Sequence, residues 1–381
     1  MIVAADVEEF KIESVSDFIK SINDEMCNRK TSALFGVGLK NYLLYLLSAG
    51  VDGKLIIDYC RMIGEKFISF ADQRSMKDYD LELARKKLNS ALTNGIDESC
   101  IDEICKILSR FVSFDSSMNE INEDFSDLRF FKIPKLVEVS FRGHADYTWH
   151  AQPSIFRGRF YEYEREMYYE MIEREPGVFD EKEVYKNLAL MQHYSCPTRL
   201  LDVTFNPLVA LYFACQPTKK DPEVDGRVLV FVSPRCEFWD DLPVQAQSKV
   251  ALLNYGRKKQ FWKALLSGAP LESYKKDFTE AELKPVNFLF PVWVRTKKYA
   301  PRIERQSGAF VVVPEIECQQ GNPTGQEQRE YPLDHWCCKS YKIPGGIKDL
   351  ILRELNALNI NESSLFDGLD HVGLHVKTMY E

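Results

Sequence analysis

Gln192-His193-Tyr194-Ser195-Cys196-Pro197-Thr198-Arg199-Leu200-Leu201-Asp202-Val203-Thr204-Phe205-Asn206-Pro207-Leu208-Val209-Ala210-Leu211-Tyr212-Phe213-Ala214 changes character twice within a short span. A helical pattern ends at Gln192-His193-Tyr194, ahead of a proline-containing turn. Polar and apolar side chains then interleave from Thr198 to Thr204. Asn206 suits a helix N-cap and Pro207 the first helical position, because proline has no N–H to leave unsatisfied there. The strongly apolar run 207–215 reads as a buried helix.

Working outward, the same mixture persists. Toward the C-terminus, strand-like runs occur at Val228–Val232, Phe288–Val294, Phe310–Val313 and Lys339–Ile343, before an amphipathic helix from Lys348 to Ala357. On the N-terminal side, helices are expected at about 181–194 and 160–175, and Val137 and Val139 alternate with polar residues into Phe141-Arg142-Gly143. Strands and helices mix without a βαβ rhythm, which reads as α+β. Residues 11–23 form an amphipathic helix, with Ser14 and Asp17 as a capping-box-like start. Residues 30–130 read as almost wholly helical. Leu39, Tyr42, Leu43 and Leu46 form one apolar stripe, and Leu55, Ile56, Cys60, Ile63 and Phe67 the next. The stretch 115–128 is acidic and reads as a linker.

The chain has 381 residues, 45% of them hydrophobic, and a formal net charge of −8. That balance does not hold it to nucleic acid, so such contact requires a local basic patch. Ten cysteines contain no C-x-x-C pair, which favours free thiols in a reducing compartment; Cys337-Cys338 is the pair to watch for oxidation. The start is acidic where a secretory leader is basic, and no apolar run reaches membrane-spanning length, so the expected location is cytoplasmic.

Three blocks carry a resemblance. The first is Phe141-Arg142-Gly143-His144 followed by Trp149, Gln152-Pro153-Ser154 and Arg157. The second is the stretch that opens this section. The third is Arg302-Ile303-Glu304-Arg305-Gln306-Ser307-Gly308-Ala309-Phe310. Together they resemble the FRG domain family over about 11–23 and 135–375. The resemblance divides the chain into an opening helix (1–26), a helical insertion (27–130) and an FRG-like catalytic or nucleotide-binding domain (131–381). The aromatic-Arg-Gly strand end also resembles the first NAD-binding motif of ADP-ribosyltransferases. It implies a mixed or antiparallel sheet core resembling an ADP-ribosyltransferase-like fold, with an inserted all-helical segment, and NAD as cofactor.

The candidate residues follow. Arg142 can offer a planar, permanently charged fork to a phosphate or ribose, with Gly143 allowing close approach and His144 adjoining. Alternatively, it is a buried arginine paired to a carboxylate such as Asp202. Thr198 and Thr204 would shape the pocket and Arg199 would contact phosphate, or these residues and Asp202 only tie the turn. Asp202 pairs with either Arg142 or Arg199. His193 can act as base or orient a ligand, or it caps its helix; Tyr194 can stack on a base, or it packs. The resemblance implies a carboxylate ahead of a late strand to stabilise a cation-like ribose. Gln306 stands there instead, so Glu304 or the Glu315-x-Glu317 pair would supply it. Arg257, Lys258, Lys259 and Trp262 form a basic stretch interleaved with aromatics, suited to a nucleic-acid substrate or to the solvated face of a helix.

The resemblance therefore implies an ADP-ribosyltransferase-like enzyme that moves ADP-ribose from NAD to a macromolecule, nucleic acid favoured over protein, in a bacterial toxin or anti-phage effector. The alternatives are a non-catalytic nucleotide- or nucleic-acid-binding regulatory module and an NAD glycohydrolase. An antitoxin or another protein is the partner expected at the helical insertion, and no membrane or metal is expected.

Overall fold

The computed structural model describes residues 9–27, 31–73, 81–93, 96–117, 137–180, 182–218, 221, 223–234, 236–297, 300–315 and 332–368. A short strand β1 (Glu9–Lys11) precedes helix α1 (Val15–Cys27), and four helices follow: α2 (Thr31–Ser48), α3 (Gly53–Gln73), α4 (Leu81–Ala91) and α5 (Glu98–Ser117). Then come β2 (Val137–His144), α6 (Glu164–Arg174), α7 (Val184–His193), β3 (Leu200–Thr204), α8 (Pro207–Ala214), β4 (Gly226–Pro234), β5 (Glu237–Phe238), α9 (Leu242–Lys249) and α10 (Tyr255–Leu266). The chain continues through α11 (Val286–Leu289), β6 (Val292–Arg295), α12 (Pro301–Arg305), β7 (Gly308–Val312), α13 (Pro332–Trp336), β8 (Lys339–Ile343), α14 (Lys348–Ala357) and α15 (Glu362–Leu365).

The strands form one mixed sheet in the order β1-β8-β4-β2-β3-β7-β6-β5, with β1–β8 and β5–β6 parallel and the other pairs antiparallel. The expected α+β class with a mixed sheet is what the chain adopts. The sheet has a weak seam. β2 and β4 pair over eight residues and β3 and β7 over five, but β2 and β3 share the single pair Phe141↔Thr204. Two half-sheets, β1-β8-β4-β2 and β3-β7-β6-β5, therefore meet at one point and fork beyond it.

Both half-sheets share the main core on one face, and the β3-β7-β6 half packs a second core on the other. Helix α8 lies across β2 and β4, capped as expected: the Asn206 side chain accepts from Leu208 N at 2.9 Å and Pro207 opens the helix. A Cβ on Gly143 would fall 1.9 Å from the Ala210 carbonyl oxygen and 2.7 Å from Ala214 N. Gly143 thus serves strand–helix packing, and the expected role of admitting a ligand to the backbone is corrected. On the other half-sheet, Leu200, Phe310, Val312, Val292 and Val294 pack with α7 and α9 as a second core.

Helix α2 is sunk into the main core. Leu39, Tyr42, Leu43 and Leu46 are all fully buried, the Tyr42 hydroxyl donates to Leu289 O at 2.9 Å, and its ring packs on Trp336 and Phe290. This apolar stripe is consumed by the chain's own core and is not open to a partner. Helix α1 docks through Phe18 on Tyr341 of β8. The Ser14 start is as expected, with Asp17 N donating to Ser14 Oγ at 3.1 Å, but the expected bound at 11 moves to Val15, since residues 9–11 take a strand ladder from β8. The expected strand Phe288–Val294 divides into α11 and β6. Pro291 interrupts the run, and the Asn287 side chain ties α11 back to the carbonyls of Ala281 and Glu282. Most of the expected linker 115–128 lies outside the described residues.

Cys60, Cys100, Cys105, Cys196, Cys215, Cys236, Cys337 and Cys338 are free. Cys337 and Cys338 are buried, and burial pushes the Cys337 thiol up to about 12, which removes the reason to single the pair out for oxidation. Among the described residues, no helix is long and apolar enough to cross a membrane.

Replacing Gly143 by Ala forces β2 and α8 apart. Chemical denaturation of Gly143→Ala is expected to show a loss of about 2 kcal/mol or more; an unchanged midpoint would contradict this packing.

Candidate functional site

The fork opens from the Phe141↔Thr204 pair toward His144 on one side and Leu200 on the other. Past the pair, no strand serves the Asp202 carbonyl on its β2 side, and a side chain does so instead. Arg142 Nη1 donates to Asp202 O at 2.5 Å, and Arg142 Nε donates to His144 Nε2 at 3.0 Å. Arg142 Nη2 hydrogen-bonds to none of the described residues. The residue is half-buried. Burial lowers its basicity and the Asp202 charge restores part of it; an arginine stays charged throughout.

His144 is a positioning residue rather than a ligand. It is only 2% exposed. Because Nε2 accepts from Arg142, the ring proton sits on Nδ1 and is donated to Trp149 O at 3.1 Å. Burial first, then the charges of Arg142 and Arg227, holds its pKa well below the usual 6.5. The Trp149 carbonyl also accepts from Arg227, while the Trp149 indole is 49% exposed at the rim. Arg157 is exposed, anchored to Gln152 O at 3.0 Å, and close enough for its charge to weigh on both Arg142 and His144.

The opposite wall is built by a relay of hydrogen bonds. Leu200 N donates to Thr198 Oγ1 at 3.2 Å, Thr198 Oγ1 donates to Gln192 Oε1 at 2.7 Å, and Gln192 Nε2 donates to Asp202 Oδ2 at 2.8 Å. The Asp202 carboxylate can only accept, so the Gln192 amide turns its NH2 toward it and its oxygen is left to accept from the Thr198 hydroxyl. Asp202 Oδ1 has no partner among the described residues, and the residue is exposed. Tyr194, 60% exposed, follows Gln192 on the same rim, with its ring edge-on to His193 at 4.9 Å. His193 is half-buried, and its Nδ1 is enclosed without a hydrogen-bond partner.

The fork thus gathers Arg142, His144, Thr198, Asp202 and Tyr194 of the expected residues, with Gly143 behind them. Asp202 makes an ion pair with neither Arg142 nor Arg199. Arg199 lies elsewhere: with Glu164 and Lys258 it forms an ion triad in which all three side chains are 1–2% exposed. Arg199 Nε and Nη2 reach Glu164 at 2.8 and 2.5 Å, and Lys258 Nζ binds the same carboxylate. Burial opposes the charge on Glu164, but Arg199 and Lys258 together hold its carboxyl below the usual range. The expectation that Arg199 contacts a phosphate is corrected, since its guanidinium is spent anchoring β3 to α6 and α10. The basic stretch is corrected likewise. Lys258 and Trp262 are buried, Arg257 is paired to Asp277 and stacked on Tyr274, and Lys259 is exposed beside the Tyr255 ring.

The third block also lies apart from the fork. Thr204 Oγ1 donates to Gln306 O at 2.7 Å, on the closed side of the Phe141↔Thr204 pair, and Gln306 Nε2 donates to Leu365 O at 3.2 Å. Glu304, on the short helix before it, is exposed there. Glu315 lies beyond the fork's mouth, two residues after Val313, whose N–H donates to Arg199 O; Glu317 lies outside the described residues. Sequence reasoning missed Gln192 and Arg227 as site-forming residues. Gln192 was open to detection, as a polar side chain next to His193 at a helix end facing an interleaved strand.

In class, the site is an arginine-lined fork in a split mixed sheet. Residues 137–223, which hold both walls of that fork, match the FRG domain family, and the chain carries an FRG domain there. No curated protein and no solved structure matches the chain.

Two measurements check this geometry. Glu164→Ala leaves two buried cations unpaired and is expected to cost about 3–5 kcal/mol in denaturation. His144 is neutral in the fold but takes a proton below about 6.5 when unfolded, so its contribution to stability is lost as the pH falls through that value. His144→Gln keeps an acceptor for Arg142 and a donor for Trp149 O. Its stability should fall less steeply than the wild type's between pH 7 and 5.

Proposed function

We propose that the fork binds NAD and that the chain is an ADP-ribosyltransferase-like enzyme transferring ADP-ribose to a macromolecule, with nucleic acid favoured over protein. The observation that carries this reading is the state of Arg142. It is held by His144 and Asp202 O, it is half-buried where the two half-sheets part, and its Nη2 is uncommitted among the described residues. A pre-oriented guanidinium loses little entropy on binding a diphosphate and suits its paired oxygens. Arg157 adds charge nearby, and the exposed rings of Trp149, whose carbonyl binds His144, and Tyr194, two residues after Gln192, are suited to stacking on the bases of a dinucleotide. The aromatic-Arg-Gly strand end, similar to the first NAD-binding motif of ADP-ribosyltransferases, lends support, and an ADP-ribosyltransferase-like core is part of the proposal. In this reading a bacterial toxin or anti-phage effector is the setting, and an antitoxin or another protein is its partner.

One observation favours the second reading, a nucleotide-binding regulatory module. Gln306 is neutral, tied to Leu365 O and on the closed side of the junction, so it offers no charge to a cation-like ribose. NAD binding and nicotinamide release separate the two. The purified full chain is expected to bind NAD in calorimetry and to transfer label from adenylate-labelled NAD to a pool of RNA, DNA or protein. Arg142→Ala should weaken NAD binding by about tenfold or more, as expected for losing a charge-assisted hydrogen bond. Binding without nicotinamide release selects the regulatory module; release without transfer selects a glycohydrolase; unchanged binding in Arg142→Ala removes the fork as the site.

A further inference from the structure

We infer that Asp202 is the catalytic carboxylate of this site, an inference that rests on the NAD reading above. Transfer of ADP-ribose breaks the bond between ribose C1′ and the nicotinamide nitrogen. The electron pair leaves with the ring, which becomes neutral nicotinamide, and positive charge develops on the ribose. The acceptor's lone pair then forms the new bond at C1′, and the acceptor gives up a proton to solvent. Only a negative charge close to C1′ offsets the developing cation; a neutral amide does not.

The geometry assigns that charge to β3. Asp202 is a carboxylate hydrogen-bonded into the fork's wall, its carbonyl engaged by Arg142 and its Oδ2 fixed by Gln192. The residue is exposed, and its outer oxygen, Oδ1, is unengaged among the described residues. The carboxylate and the free Arg142 nitrogen are thus held by the same strand position. A diphosphate seated on Arg142 brings its attached ribose to the neighbourhood of Oδ1. The relay through Thr198 and Gln192 keeps the carboxylate from turning away without neutralising it, because the Gln192 amide donates a hydrogen bond but no charge. Glu304 and Gln306 sit across the strand junction, and Gln306 already serves Leu365 O.

The test is nicotinamide release and NAD binding for Asp202→Asn, Asp202→Glu, Glu304→Gln and Glu315→Gln in the full chain, with thermal melts for each. Asp202→Asn is nearly isosteric and should melt as the wild type does. Its turnover should fall about 100-fold or more, as for removal of a transition-state electrostatic contact. NAD affinity should be kept or tightened, since a negative charge beside the diphosphate has been removed. A fall in kcat without a rise in KM separates this from a structural role, and Asp202→Glu should recover part of the turnover. Wild-type turnover in Asp202→Asn, or a comparable loss in Glu304→Gln or Glu315→Gln instead, would overturn the assignment while leaving the transferase reading in place. Wild-type protein that binds NAD and releases no nicotinamide with any acceptor pool would overturn the transferase reading and this assignment together. Wild-type protein that does not bind NAD at all would overturn the site itself.

Discussion

The organisation of the molecule depends on a single strand pair. Phe141 and Thr204 make the one ladder pair between two half-sheets that are otherwise joined through side chains, such as Trp293 on Ser140 and Arg295 on Glu138, and the site follows from the ladder stopping there. Where the ladder stops, the Asp202 carbonyl has no strand donor on its β2 side. Arg142 supplies that donor, and in doing so it is drawn into the gap and fixed. The defect in the sheet and the charge in the site are one feature.

Around that point the chain separates roles that residue type alone does not distinguish. Three arginines of the FRG domain differ in availability. Arg142 is held but keeps one nitrogen open, Arg157 is exposed at the rim, and Arg199 is locked into a dry triad with Glu164 and Lys258. The triad joins α6, the start of β3 and α10, so it holds the wall that carries Thr198 and Asp202. A buried ion cluster of this kind contributes little net stability but penalises any other arrangement of the same elements. The neutral His144 plays a parallel part on the other wall, linking the Trp149 carbonyl to Arg142.

Much of the architecture is legible in the residue order, where local chemistry decides. Asn206 and Pro207 cap α8, Lys339–Ile343 and Lys348–Ala357 fall where alternation and amphipathic spacing put them, and the stripe on α2 is buried as its spacing requires. The FRG motif points to the right region, since both walls of the fork lie within it. The individual residues are less legible. Arg199 and Lys258 look like phosphate and nucleic-acid contacts in sequence because a charge reads as solvated until a partner is seen. Glu164, which neutralises them, is 35 residues away from one and 94 from the other. Gly143 looks like a ligand-facing glycine because the helix that occupies its missing Cβ lies more than sixty residues downstream.

The sequence by itself determined the α+β class, the cap and apolar face of α8, the FRG segment and the candidacy of Arg142, because each rests on side chains acting within one or two turns of their own backbone. Tertiary structure decided where the sheet splits, which charges stay open and which carboxylate faces the arginine. Those outcomes depend on strand register and on partners distant in the chain. Gln306 and Asp202 are alike polar and strand-adjacent in sequence; they are separated only because β3 and β7 pair so that one falls on the closed side of the junction and the other in the fork.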